Sequence, residues 1–279
     1  MRPIAIPSVI RELWQAGTNT NEDNIAKVSA AYKALQKGAP EVSVVIPAYN
    51  EEKNILRTLL SLATNKTTRS VEIIVVNNNS KDNTEALVKA TGVECILETK
   101  QGITAARNAG LAVAKGTYIL NADADSIYPP DWIEEMTAPL ASGNNVCITY
   151  GRFAFIPTGS TSRLTYFFYE HMADKLRWIN KRFREEAVNV YGFNSGFRRE
   201  QGLAVDGFNH PPGANEDGWL AVKLREKGFG KLHCVTKTNA MVWTADRRIE
   251  MDGGLWKALF MRVKRVFFQP KEVVIRKDL

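Results

Sequence analysis

The chain contains 279 residues, of which 44% are hydrophobic, and its formal net charge is +7. This size allows one large domain or two small ones with a proper core. The positive charge is concentrated near the end of the sequence, because residues 253–279 carry seven basic and two acidic side chains, a net of +5. This distribution points to an anionic surface for the tail and argues against a nucleic-acid groove across the whole protein.

The three cysteines, Cys95, Cys147 and Cys234, lie scattered in apolar surroundings, and no C-x-x-C motif occurs. This pattern argues against a disulfide framework or a zinc site and is typical of buried thiols in a reducing compartment. The first residues lack the apolar core of a signal peptide, and no apolar run approaches the roughly 18 residues of a transmembrane helix. We therefore expect a cytoplasmic protein, at most peripheral at the inner face of the plasma membrane.

In the first half of the sequence, compact β-branched runs alternate with helical patterns. A polar segment, 1–40, comes first and contains helical spacing between residues 21 and 38. The predicted strands that follow it are 42–47, 71–77, 93–98 and 117–122. The predicted helices between and after them are 51–64, 80–91 and 102–116. This alternation predicts βαβ units and a parallel sheet that is buried on both faces.

After residue 125 the alternation loosens. The predicted helices of this half are 129–142, 160–186, 215–228 and 254–268. The predicted strands are 145–153, 231–235 and 239–243. The helix 160–186 is long and rich in aromatic residues, which suits either the wall of a binding site or a part of the core.

Polar clusters follow three of the predicted strands, at the edge of the sheet where open α/β proteins bind ligands. They are PAYNEE (47–52), NNNSKD (77–82) and NADADS (121–126). Turn chemistry alone explains any single cluster, since Asn, Asp and Ser start turns and cap helices. The third cluster, however, ends a buried strand with two like charges, Asp123 and Asp125, which repel each other unless a cation lies near them. Mg²⁺ and Mn²⁺ prefer such oxygen ligands and commonly share them with a nucleotide diphosphate.

Five segments resemble the family 2 glycosyltransferases in order and spacing. They are VSVVIPAYNEEKNI, VEIIVVNNNSKDNT, GITAARNAGLAVAKGTYILNADADS, NSGFRRE with the later VDGFN, and NEDGWLAVKLREKG. The resemblance runs from about Val42 to Val242 and implies the GT-A fold, with a Rossmann-like, mostly parallel central sheet flanked by helices. We accordingly expect a helical extension (1–40), a catalytic domain (41–245) and a basic amphipathic tail (246–279). The nucleotide-binding half would be 41–126 and the acceptor-binding half, with its helical region, 127–245.

The resemblance implies a nucleotide site built by the loops after the first two strands. Pro47, Tyr49 and Glu51 match the nucleotide-contacting loop of the family. Asn77 stands where many members have an Asp that accepts a hydrogen bond from the base. The Asn77 amide oxygen can still accept, although the amide also donates, and uracil is the expected base.

The resemblance also implies the groups that hold the ribose, the metal and the diphosphate. Arg107 matches a family arginine near the nucleotide, the less favoured alternative being an exposed helical arginine. Asp123 would contact the ribose or the metal, and Asp125 the metal, which we expect to be Mg²⁺ or Mn²⁺. Arg247 and Arg248 resemble a basic stretch after the last strand and are candidates for contact with a diphosphate, the alternative being two solvated arginines.

The NED motif at 215–217 matches the segment that carries the family's catalytic base. Asp217 aligns with that base, which takes the proton of the acceptor hydroxyl as its oxygen attacks the anomeric carbon. Glu216 would bind or orient the acceptor. Asn194 and Gly196 resemble the loop on the acceptor side. Acidic residues at a helix N-terminus are also favourable for dipole reasons alone. Direct displacement implies inversion at the anomeric carbon.

The last predicted helix, 254–268, is amphipathic, with basic residues on one face and Trp, Leu and Phe residues on the other. Such a helix suits an anionic membrane surface, or it packs on the core and leaves its basic face in water. A membrane location would favour a polyprenyl-linked or other membrane-held saccharide as the acceptor, in the synthesis of cell-surface glycans.

Two other functions compete with a metal-dependent glycosyltransferase that uses a nucleotide-sugar donor. A sugar-nucleotide pyrophosphorylase would favour a glycine-rich phosphate loop after the first strand, and PAYNEEKN contains no glycine. A non-catalytic module that binds nucleotide sugars or membranes would be expected to lack Asp125 or Asp217, and both are present. The sequence leaves open the donor sugar, the acceptor, the linkage and the oligomeric state.

Overall fold

The computed structural model describes residues 2–16, 22–143, 145–247, 249 and 254–268. The described strands are β1 Val42–Ala48, β2 Val71–Asn77, β3 Glu94–Leu97, β4 Tyr118–Asn121, β5 Ser126–Ile127, β6 Val146–Gly151, β7 Phe153–Ile156, β8 Ser195–Arg198, β9 Lys231–Val235 and β10 Val242–Ala245. The described α-helices are α1 Ser8–Ala16, α2 Glu22–Leu35, α3 Ile55–Ala63, α4 Thr84–Ala90, α5 Ile103–Val113, α6 Trp132–Ala141, α7 Arg163–Phe183, α8 Arg199–Ala204, α9 Glu216–Glu226 and α10 Leu255–Phe268.

Seven strands form the central sheet, in the order β3-β2-β1-β4-β8-β6-β9. The strands β1 to β4 run parallel, as the alternation of strands and helices predicts, and β8 lies antiparallel between β4 and β6. The register places Val45 of β1 between Ile74 of β2 and Asn121 of β4. The carboxyl ends of β1, β2 and β4 therefore meet at one edge of the sheet, which confirms the predicted mostly parallel α/β architecture.

Both faces of the central sheet are covered, and β1 contributes to both. Val44 and Ile46 of β1 belong to one apolar core, whereas Val45 between them belongs to the core on the opposite face. Successive side chains of a strand point to opposite faces, so the uninterrupted run of β-branched residues serves both layers.

The N-terminal segment packs on the same core as the sheet. Val28, Tyr32 and Leu35 of α2 are buried in the core that also holds Val44. The Tyr32 hydroxyl accepts a hydrogen bond from the backbone N–H of Ile73, at 3.2 Å. The helix α2 thus lies against the end of the sheet through both apolar and polar contacts.

In the second half of the chain, the observed structure differs from two of the predicted strands. The predicted strand 145–153 divides into β6, which joins the central sheet, and β7, which joins a second sheet of order β5-β10-β7. The predicted strand 239–243 begins at Val242, because a 3-10 turn occupies Thr238–Ala240. In that turn the exposed Asn239 amide donates to Asp131 at 3.0 Å.

The second sheet sets the position of the last strand relative to the NADADS cluster. The short strand β5 follows directly after Asp125 and pairs antiparallel with β10, with Ser126 opposite Thr244. This pairing brings the segment after β10 to the carboxyl edge of the central sheet. Within the part of the chain that the structure describes, no helix is both long and apolar enough to cross a bilayer.

Candidate active site

The loops after β1 and β2 are held together by reciprocal hydrogen bonds. The backbone N–H of Glu51 donates to the Thr84 hydroxyl at 2.8 Å, and that of Glu52 donates to Asp82 at 3.1 Å. In the other direction, the Asn50 side chain accepts from the N–H of Lys81 at 2.8 Å. These hydrogen bonds join the clusters PAYNEE and NNNSKD into one rim at the carboxyl edge of the sheet.

Five of the predicted site residues line a single cleft at this rim. The cleft has a volume of about 330 Å³. The predicted residues in its lining are Pro47, Tyr49, Glu51, Asp123 and Asp125. The Tyr49 side chain is 50% exposed, so its ring is available to a ligand.

Asn77 does not have the position that we expected for a base contact. Its amide oxygen accepts from the N–H of Ser80, and its amide nitrogen donates to Glu85, each at 2.9 Å. The side chain is buried, and it is the neighbouring Asn78 that lines the cleft. Asn77 therefore serves the turn after β2 in this structure, and its contact with the base stays a prediction.

Two arginines lie beside the two aspartates of NADADS, one at each. Arg247 donates from Nη2 to Asp125 Oδ2 at 3.2 Å and to Glu51 Oε1 at 2.9 Å. Burial opposes the charge of Arg247, but Glu51 and Asp125 outweigh it and raise the pKa of the guanidinium. Arg107 approaches Asp123 with Nη2 to Oδ1 at 3.4 Å. These cations offset the repulsion between the two carboxylates. Arg248 lies outside the described residues.

The donor set of this cleft fits a hard divalent cation that shares its coordination with a ligand. Asp123 and Asp125 both line the cleft, and the Arg247 guanidinium stands in for a cation at Asp125. Among the described residues no group of three or more His, Cys, Asp or Glu side chains forms a complete protein cage. Mg²⁺ in particular is usually bound through one or two carboxylates together with substrate phosphates, which is the arrangement that two aspartates allow.

Arg107 joins the NADADS cluster to the NED motif. Its guanidinium lies 3.8 Å from Glu216 and 3.5 Å from Asp217, in addition to its contact with Asp123. The side chain is buried and is not among the residues that line the cleft. The structure excludes the alternative of an exposed arginine, because Arg107 is buried and links three carboxylates. Its contact with Asp123 places it beside the cleft, and its role toward the nucleotide stays a prediction.

Glu216 and Asp217 form the first turn of α9. Asn215 caps this helix, since its side-chain oxygen accepts from the N–H of Gly218 at 3.0 Å, a bond typical of an N-cap. Burial raises the pKa of Asp217 well above its ordinary value, and the charges of Glu216 and Asp123 add to the rise while Arg107 opposes it. Asp217 Oδ1 and Glu216 Oε2 accept no hydrogen bond from the described residues. A hydroxyl donor from a ligand would satisfy them.

The two residues expected on the acceptor side are enclosed by protein. The Asn194 side chain accepts from Trp132 Nε1 at 2.9 Å and donates to the carbonyl of Arg152 at 2.8 Å. Gly196 lies within β8, where a Cβ atom would collide with Leu120. Packing explains both residues in the fold, and their contact with the acceptor stays a prediction.

Two residues of the site carry no signal in the sequence pattern. The Tyr128 hydroxyl accepts from the N–H of Asp123 at 2.8 Å and donates to the carbonyl of Phe193 at 3.0 Å. Gly192 accepts a hydrogen bond from Arg107 Nη1 at 2.7 Å. These contacts join segments that are distant in the sequence, so no short-range sequence pattern indicates them.

The sequence model of glycosyl transferase family 2 matches residues 43–201. The chain belongs to glycosyltransferase family 2. This membership confirms the family and the enzyme class that the motifs predict.

The curated relatives of this glycosyltransferase match it over part of their length. The glycosyltransferase AglE of Haloferax volcanii is 31% identical over 160 residues, which are 54% of this chain and 52% of AglE. The chondroitin synthase of Pasteurella multocida is 31% identical over 175 residues, 60% of this chain and 18% of the synthase. The chain thus spans about half of the first relative and a smaller share of the second.

Solved structures confirm the GT-A fold of this glycosyltransferase. The mannosyltransferase PcManGT from Pyrobaculum calidifontis, solved with GDP-Man and Mn²⁺, has a TM-score of 0.59 at 17% identity, covering 92% of this chain and 82% of its own. Glucosyl-3-phosphoglycerate synthase from Mycobacterium tuberculosis, solved with Mn²⁺, UDP and phosphoglyceric acid, has a TM-score of 0.53 at 21% identity, covering 89% and 84%. At these identities the likeness concerns the fold.

Proposed function

We propose that this glycosyltransferase moves a sugar from a nucleotide-diphosphate donor to a hydroxyl of a saccharide or lipid-linked saccharide, in the synthesis of a cell-surface glycan. The observation that carries the proposal is the link made by Arg107 between Asp123, which lines the cleft, and the buried Asp217. A donor group in the cleft would thereby lie next to a carboxylate suited to proton transfer.

The cleft provides groups for the nucleotide part of the donor. The ring of Tyr49 offers a flat, half-exposed surface for a base or sugar, and Glu51 lies beside it as a hydrogen-bond acceptor. UDP-sugars are the favoured donors. Asp123 and Asp125 would hold Mg²⁺ or Mn²⁺ with the diphosphate oxygens. The bound cation would supply positive charge to the departing diphosphate.

Asp217 is proposed as the general base. Its carboxylate would take the proton of the acceptor hydroxyl while that oxygen forms a bond to the anomeric carbon and the bond from this carbon to the diphosphate breaks. Burial raises the pKa of Asp217, and a higher pKa makes the carboxylate a stronger base. Attack from the side opposite the leaving group inverts the anomeric configuration. Glu216, whose Oε2 accepts no hydrogen bond from the described residues, would orient the acceptor.

Arg247 is proposed to contact the donor diphosphate. Its guanidinium already lies at the cleft carboxylates Glu51 and Asp125, and its side chain is 47% exposed. An arginine in this position can exchange a carboxylate partner for phosphate oxygens, which it binds with similar geometry.

We propose that the acceptor is held in a membrane, because α7 and α10, which pack on each other, together expose apolar and basic side chains. The helix α10 turns Leu255 and Leu259 toward the core, while Trp256 and Phe260 remain 78% and 67% exposed. Phe168 of α7 is 64% exposed. The exposed Lys257 and Lys264 accompany these apolar groups on α10. Aromatic side chains with interspersed lysines suit the interface of an anionic bilayer.

The two competing functions fit this site less well. Membership of family 2 and the absence of glycine from PAYNEEKN disfavour a pyrophosphorylase. A module without catalysis would have no need of the buried Asp217 or of a charged partner that links it to Asp123.

A donor screen tests the proposed function. Purified enzyme is incubated with UDP-, GDP- and dTDP-sugars in the presence of Mg²⁺ or Mn²⁺, and release of the nucleotide is measured for the wild type, Asp125→Ala and Asp217→Asn. We expect slow hydrolysis of one donor that requires a metal and is lost in Asp125→Ala. Absence of turnover together with absence of nucleotide binding by calorimetry would overturn the proposal.

A further inference from the structure

We infer that Gly192 is a positioning residue, which admits the Arg107 guanidinium to the group of carboxylates that would act on the substrate. The inference rests on the proposed function and adds to it a residue outside the family motifs quoted above. Gly192 lies in the turn before β8 and is buried.

Space, and not backbone conformation, accounts for the glycine at position 192. Its φ does not lie in the left-handed region that favours glycine. A Cβ atom built on Gly192, however, would lie closer than 3.0 Å to Cζ, Nη1 and Nη2 of Arg107, a separation that real Cβ atoms essentially never show. Any side chain at this position would displace the guanidinium.

The guanidinium has no room to move without leaving its partners. Arg107 Nη1 donates to the Gly192 carbonyl at 2.7 Å, and Asp123, Glu216 and Asp217 all lie within 3.8 Å. The ring of Phe208 lies 5.7 Å from Arg107 Cζ. We therefore expect a methyl group at residue 192 to displace the guanidinium from Asp123 and Asp217.

Gly192→Ala should act on catalysis more than on folding. We expect kcat to fall about 10- to 100-fold, because a misplacement of about 1 Å in a catalytic group has effects of this size. The KM for the nucleotide sugar should change by less than about 3-fold, because Gly192 is not in the lining of the cleft. A residue with a merely structural role would lower the amount of folded enzyme and leave kcat per folded molecule unchanged.

A matched glycine variant controls for general destabilisation. Gly228 lies after the end of α9, at the opposite end of that helix from Glu216, with a φ of 83°. Gly228→Ala strains the backbone, since alanine pays a penalty in the left-handed region. Its midpoint of urea unfolding should fall while kcat per folded molecule stays close to that of the wild type.

A double-mutant cycle with Arg107→Lys tests the contact itself. A lysine carries a single ammonium group and lacks the forked nitrogens that the added methyl would strike. We expect Gly192→Ala to lower kcat much less in the Arg107→Lys background than in the wild type, and the urea midpoints of the four proteins to be non-additive as well. Equal losses in both backgrounds would overturn the inference, because the effect would then not pass through Arg107.

The same experiment separates this inference from the proposed function. If the wild type turns over a nucleotide sugar but the effects of Gly192→Ala and Arg107→Lys are additive, the proposed function stands. The positioning role of Gly192 is then excluded. A wild type without turnover on any donor removes both. Non-additive urea midpoints in that case would assign the Gly192–Arg107 contact to stability alone and would contradict a positioning role.

Discussion

Arg247 donates to Asp125 at 3.2 Å, although 122 positions of sequence separate the two residues. The pair forms because β5 and β10 lie side by side, so that the residues just before one strand and just after the other meet. Arg247 thereby pairs with a carboxylate that we propose as a metal ligand, so the guanidinium and the metal ion would compete for Asp125.

Arg247→Ala should tighten the binding of Mn²⁺ in the absence of nucleotide and weaken the binding of UDP. The gain in Mn²⁺ affinity should be at most about 5-fold, because half-exposed ion pairs contribute about 0–1 kcal/mol. Calorimetric titration with MnCl₂ and then with UDP measures both effects. Lys237→Ala is the control, since its ammonium pairs with Glu135, which is not among the residues that line the cleft. Unchanged Mn²⁺ affinity in Arg247→Ala would exclude competition at Asp125.

Asp217→Asn should lower kcat about 100- to 10,000-fold, the usual contribution of a general base. The affinity for UDP should stay within about 2-fold of the wild type, because Asp217 is not in the lining of the cleft. Steady-state kinetics and calorimetry on the same preparations measure the two quantities. A variant that keeps more than about a tenth of the wild-type kcat would move the role of base to another residue.

Asp217→Asn should also change how stability depends on pH. The stability of the variant relative to the wild type should increase as the pH rises. The pKa of Asp217 is raised by burial, so the folded state holds its proton more tightly than the unfolded chain does. This stabilisation is complete below the unfolded pKa of about 3.9 and is lost as the pH rises toward the folded pKa. The amide of the Asp217→Asn variant does not titrate and loses nothing over this range, so Tm measured from about pH 4 upward should show a growing advantage of the variant.

Asp82→Asn provides a control of opposite sign. Burial opposes the charge of Asp82, but hydrogen bonds from Thr84 and from the backbone of Glu52 outweigh it and lower the pKa of the carboxyl. The stability that Asp82 contributes is present above its unfolded pKa and is lost as the pH falls. Asp82→Asn should therefore destabilise the protein most near neutral pH. Parallel pH profiles for the two variants would show that the pKa of Asp217 is not raised.

Asn194→Ala should destabilise the fold without changing the KM for the acceptor. The substitution leaves Trp132 Nε1 without an acceptor, which costs about 1–3 kcal/mol for a buried group. The Arg152 carbonyl loses one of its two donors and keeps the N–H of Val242. Tm should fall by about 2–4 °C for each kcal/mol in a chain of this size. Asn239→Ala is the matched control at an exposed amide and should change stability by no more than about 0.5 kcal/mol. A raised KM for the acceptor at unchanged Tm would support the acceptor-binding role of Asn194 instead.

The paired substitution Trp256→Ser and Phe260→Ser should abolish sedimentation with vesicles that contain anionic lipid. Lys257→Glu with Lys264→Glu should weaken it at low salt, and the difference from the wild type should shrink at high salt, because salt screens the electrostatic interaction with the lipid. Leu97→Ser is the control, since Leu97 is 59% exposed on the edge strand β3. Equal sedimentation of all variants, or none for the wild type, would remove the membrane surface from the proposal.

The sequence by itself determined the sheet that carries the site. The runs 42–47 and 71–77 predict β1 and β2 to within one residue, because strands buried on both faces need continuous β-branched residues and this is a local property. The polar clusters at their ends, and the family that those clusters indicate, are local in the same sense. The second half was predicted less well. Phe153 follows Gly151 by two positions and yet belongs to another sheet, a choice made by the neighbouring strands.

The tertiary structure alone decided which polar residues face the cleft and which serve the fold. Asn77 and Asn194 were read from the sequence as ligand contacts, but each amide is held at both ends by protein groups, and for Asn194 the partner Trp132 is 62 positions away. Gly192 has no signal of its own, because its importance lies in the space it leaves for Arg107, 85 positions earlier. Hydrogen bonding and steric exclusion act between neighbours in space, and distant segments become neighbours only when the chain folds.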